Sequence, residues 1–101
     1  MTSRIKTKPF DVAEHLRDEE DVALYLKAAL EEGDIDSFFE ALRTVARAKG
    51  MAQLAKDAGL GRESLYKTLS PGAKPRFDTI LKITSALGLS FNIVPKPAAS
   101  N

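Results

Sequence analysis

Apolar residues recur at three- and four-residue spacing along most of the chain, which predicts an all-α fold. Residues 10–16 fit one short helical turn with Asp11 as a candidate cap. Residues 18–32 predict a full helix on Val22, Tyr25, Leu26, Ala29 and Leu30. Glu19, Glu20 and Asp21 suit the positive end of its dipole, and Gly33 ends it. A third segment, residues 36–49, carries the stripe Ile35, Phe38, Phe39, Leu42, Val45 and Ala46, with Arg43 and Arg47 off it and Gly50 closing it. Ser37 with Glu40 fits a capping box there, and Asp34 or Asp36 is the alternative cap. Two short helices follow, residues 51–58 on Leu54, Ala55 and Ala58, and residues 61–69 on Leu65 and Leu69, with Leu60 packing in the turn between them.

Ser70-Pro71-Gly72 stops the chain, since proline cannot continue a helix and glycine favours a turn. Residues 77–87 predict a last helix on Phe77, Ile80, Leu81, Thr84 and Leu87, ended by Gly88. Beyond it Phe91, Ile93 and Val94 favour a short C-terminal β-strand. A lone strand leaves its backbone unpaired, so the expectation is pairing with a second copy in a homodimer. The ends, residues 1–8 and 96–101, are expected to be flexible.

Composition narrows the chemistry. A chain of 101 residues is long enough for one domain and too short for two cores. The absence of cysteine removes disulfides, thiol nucleophiles and cysteine-built metal sites. No apolar run approaches the roughly 18–20 residues of a membrane span, and the start lacks a secretory apolar block, so a cytoplasmic location is expected. His15, the single histidine, has no second ligand for zinc. Glu19, Glu20 and Asp21 point in different directions on a helix and do not form a catalytic pair. Gly59, Gly61 and Gly72 match no phosphate-loop spacing. No enzyme, cofactor or metal is expected.

Net charge conceals a polarity that composition alone does not show. Through Glu40 eleven acids face five bases, and from Ala41 onward ten bases face three acids, so halves of −6 and +7 sum to the formal +1. Either each helix has an ordinary solvated face, or the chain has two partners of opposite charge, one of them nucleic acid.

Residues 51–69 make the second reading concrete. Two helices of about two turns joined at a glycine match helix-turn-helix geometry. Ala55 is small where the helices approach, and Gly59 permits the turn. Leucines 54, 60, 65 and 69 hold the second helix, leaving Arg62, Glu63, Ser64, Tyr66 and Lys67 outward. Such a helix fits the major groove of double-stranded DNA. Arg62 offers two donors to a guanine; Glu63 either accepts from cytosine or holds Arg62; Tyr66 and Lys67 reach thymine methyls or phosphates. Gln53, Lys74, Arg76 and Thr79 are phosphate candidates, the last three near a helix start. The competing structural reading is a helical hairpin whose polar residues are merely solvated.

The runs Gly50-Met51-Ala52-Gln53-Leu54-Ala55, Gly59-Leu60, Arg62 to Lys67, Ile80-Leu81-Lys82 and Leu87-Gly88-Leu89 resemble lambda-repressor-like (XRE-type) regulators. With Pro9-Phe10-Asp11, Asp18 to Asp21 and Ala28 to Asp34, the chain resembles, from about Thr7 to Val94, the addiction module antidote proteins, relatives of HigA-type antitoxins. The resemblance implies a lambda-repressor-like bundle of five to six helices. It also implies a type II antitoxin that neutralises a RelE/ParE-like toxin and represses the shared operon as a dimer on operator DNA. The alternative is a stand-alone XRE-type regulator without a toxin. Two positions depart from the pattern: Gly61 stands where serine commonly caps the reading helix, and Lys74-Pro75 replaces Asn-Pro.

Overall fold

The computed structural model describes residues 18–97. Within them the chain forms five helices, α1 (Glu19–Glu31), α2 (Ile35–Lys49), α3 (Met51–Ala58), α4 (Arg62–Thr68) and α5 (Phe77–Ala86), and no strand. The expected turn at residues 10–16, with His15, lies outside the described residues, as do residues 1–8 and 98–101. No described helix is long and apolar enough to cross a membrane.

Capping chemistry sets the first two helices. The Asp18 side chain accepts from the Asp21 amide at 2.9 Å and satisfies a donor the helix cannot. At α2 the cap is Asp34, which accepts from the Asp36 amide at 3.1 Å and from Ser37 Oγ at 3.3 Å. The Ser37–Glu40 box is therefore not formed: an aspartate two residues before Asp36 reaches the free amide first, and Ser37 becomes its donor.

Gly50 serves two helices at once. Its amide donates to Ala46 O at the end of α2, and its own carbonyl accepts from Leu54 in α3. At φ +101° this break is open to glycine and strained for any L side chain, so two helices form where one long one would run. After α3 the chain turns through Gly59, left-handed at φ +71°. Leu60 N donates to Ala55 O at 2.9 Å and Gly59 N to Lys56 O at 3.2 Å. This pair is a Schellman motif, and Leu60 packs on the core as the motif's apolar contact. The same bonds recur after α5 through Gly88 and Leu89.

Helix α1 packs on α2, α2 on α3, and α3 on both α4 and α5. Val22, Leu42, Val45, Leu65 and Ile83 are the largest fully buried side chains of one continuous core. Phe38 and Phe39 pack there as expected, and Ile35 is exposed in the first turn of α2. In α5 the buried line is Ile80, Ile83, Thr84 and Leu87, while Phe77 and Leu81 are exposed. The apolar stripe is rotated toward Ile83, because at about 100° per residue Phe77 and Leu81 fall on the same flank of the true core direction.

In the single chain the C-terminal segment differs from the sequence expectation of a strand paired with a second copy. Residues 90–97 form no strand, since an all-helical unit offers no sheet edge to pair with. Phe91 turns back onto its own chain, edge-on to Phe38 (centroids 6.3 Å apart) and to Phe77 (5.8 Å). Ile93 and Val94 remain exposed.

Candidate nucleic-acid interface

Helix α4 has seven residues, and one of them, Leu65, is buried within it. Leu69, at its C-terminal cap, adds a second buried leucine four residues on, so both face the core from one line. The remaining geometry follows. Arg62, Glu63, Ser64, Tyr66 and Lys67 are all exposed, with Glu63 and Lys67 on the outermost line and Ser64 and Tyr66 flanking it. Among the described residues no ion pair joins Glu63 to Arg62, so both present free heads. Gly61 caps α4 without a side-chain bond, in the extended conformation a cap requires.

The outlying candidates differ in readiness. Gln53 is exposed at the start of α3, but its amide donates to Asp57 Oδ1 at 2.8 Å, one turn on in the same helix. Lys74 is exposed in the loop before α5, and Thr79 is half-buried in the first turn of α5. Arg76 is exposed and pairs with Asp78, Nε to Oδ1, at 3.2 Å. The hydrogen bond from Arg76 is the main cause that holds the Asp78 carboxyl below the usual carboxylate range. Both members lie open to water, so a phosphate can compete for the guanidinium.

One residue of this region was not among the site candidates the sequence offered. Arg43 of α2 donates from Nε to the Leu69 carbonyl at 2.7 Å, which ties α2 to the end of α4. Sequence placed Arg43 off the apolar stripe and gave no sign of a partner 26 positions away. With Asp36, Glu40 and Lys74 it lines an open cleft of about 420 Å3.

The charge polarity of the sequence becomes spatial. Residues 18–40, in α1 and the start of α2, hold nine acids against Lys27 alone. Lys56, Arg62, Lys67, Lys74, Arg76 and Lys82 are exposed on α3 to α5 and the loop before α5. Among the described residues no group of histidines and carboxylates could hold a metal ion.

The sequence matches a known family. The family model for probable addiction module antidote proteins covers residues 6–95 of the chain. An uncharacterised protein of Haemophilus influenzae is 47% identical over 93 residues, which is 92% of this chain and 94% of that one. No solved structure matches the chain significantly. The chain belongs to the addiction module antidote protein family.

Proposed function

We propose that the protein is the antitoxin of a type II toxin–antitoxin module, which neutralises a RelE/ParE-like toxin and represses its own operon. The observation that carries the DNA-binding part is α4: a two-turn helix with two leucines inward and Arg62, Glu63, Ser64, Tyr66 and Lys67 outward. In this reading α3 and α4 are a lambda-repressor-like helix-turn-helix, and α4 enters the major groove of operator DNA. Arg62 reads a guanine, Glu63 and Ser64 meet neighbouring base edges, and Tyr66 and Lys67 reach thymine methyls or phosphates. Lys74, Arg76 and Thr79 grip the backbone, as does Gln53 once it leaves Asp57.

Family membership supports a toxin as the other partner. The acidic surface of α1 and the start of α2 supports a basic one, since opposite potentials steer and hold protein pairs. The operator dimer would use Ile93 and Val94, which are exposed, with Phe91 holding the segment in place. The protein would act in the cytoplasm, at the nucleoid.

Co-expression with the product of the adjacent gene tests the antitoxin role. Growth should be restored and the two proteins should co-purify. A toxin that kills equally with and without this chain, and forms no complex with it, rules the role out; a specific gel shift in that case leaves the stand-alone regulator.

Arg62→Ala tests the reading helix. The expected cost is about 1–3 kcal/mol at one base position, with discrimination lost there alone. An unchanged base preference in a binding-site selection would remove Arg62 from the readers.

A further inference from the structure

We infer that Arg43, outside the exposed face of α4, is a positioning residue that fixes the angle at which α4 meets DNA. The inference rests on the DNA-reading role proposed for α4. Leu69 O is among the last carbonyls of α4, which have no partner in the helix's own ladder. Arg43 Nε supplies that partner at 2.7 Å from a different helix. Lys67 O, by contrast, accepts from both the amide and Oγ of Ser70, partners in the same turn that do not orient the helix.

A helix of seven residues is far below the roughly 12–15 at which an isolated helix is even marginal, so tertiary contacts set its direction. Those contacts are few. Leu65 and Leu69 lie on one line, about which a short rod can still roll and tilt. The Schellman turn at Gly59 and Leu60 fixes the N-terminal end. Arg43 fixes the other end, at the carbonyl of Leu69. Its charge also faces the negative end of the helix dipole. Because Arg43 borders an open cleft, replacing it leaves no buried counter-charge behind.

Two substitutions separate this role from direct contact with DNA. Arg43→Met keeps reach and bulk without a donor. Arg43→Gln places its amide nitrogen as many bonds from the backbone as Nε, so the donor stays and the charge goes. Affinities for operator and random duplex are measured for the full chain at a temperature where circular dichroism shows all three proteins folded. Arg43→Met should lower the operator-to-random ratio about tenfold, the scale of one charge-assisted bond. Arg43→Gln should lose about threefold or less, since a neutral bond keeps roughly half the strength. In the DNA-free protein, amide exchange in α4 should quicken with Met and stay slow with Gln, while α3 is unchanged in both.

Equal losses in both variants with a shallower salt dependence would make Arg43 a phosphate contact and overturn the inference. So would an unchanged ratio in Arg43→Met. If Arg43→Met does not fold, Arg43→Gln decides: a near-native ratio with α4 protected supports the role, and a large loss ends it. A wild-type protein with no preference for operator would instead sink the DNA-reading role of α4. Amide exchange would still decide whether Arg43 holds the helix.

Discussion

Leu65→Ala should lower the unfolding free energy by about 2–5 kcal/mol, through lost transfer energy and the cavity left in a fully buried site. Leu65 is the single buried residue within α4, so no neighbour in that helix can take over its contacts. A domain of this size has only about 5–15 kcal/mol of stability, so the variant sits near its threshold. Urea unfolding should show the midpoint falling by roughly 1–3 M with an unchanged slope. Ser64→Ala, one residue away and exposed, should stay within about 0.5 kcal/mol of wild type. A Leu65→Ala shift as small as that of Ser64→Ala would mean α4 is not anchored through this leucine. The contrast also separates fold from function: Leu65 supports the helix, while Ser64 and its exposed neighbours are available to a partner.

Features set by neighbours in sequence were legible in advance. Helix α3 spans Met51–Ala58 as expected, because Gly50 and Gly59 break the chain at both ends by local backbone chemistry. The same holds for Asp18, whose capping bond spans three residues. Glu63, Ser64, Tyr66 and Lys67 were legible too, since Leu65 and Leu69 determine the inner side of α4; Arg62, three residues before Leu65, is exposed as the first residue of the helix. What was missed depends on direction or distance. Eight apolar or small positions in α5 allow more than one stripe, and packing on α3 selected the one through Ile83. Phe91 has strand propensity, but propensity yields to contact, and two rings of its own chain were within reach. Arg43 needed the fold itself, because its partner is a backbone carbonyl, which carries no signature in sequence.

The proposed interface also sets a scale for salt dependence. Lys67, Lys74 and Arg76 are exposed cations around α4 and the start of α5. If each meets one phosphate, a dimer on a two-fold operator makes about six such contacts. Operator affinity should then fall roughly a thousandfold between about 50 and 200 mM salt, because each neutralised phosphate releases a counterion. Lys74→Gln should flatten the slope by about one unit per protomer while leaving base preference intact. Arg76 enters this count only by exchanging Asp78 for phosphate, so Asp78→Asn should tighten binding to operator and random DNA alike. The hydrogen bond from Arg76 holds the Asp78 carboxyl below the usual carboxylate range, which favours the charged form that repels phosphate. Titrations at several salt concentrations decide the matter. A slope of one or two would mean that the basic surface of α3 to α5 does not face DNA, and Lys67, Lys74 and Arg76 would be solvated charges only.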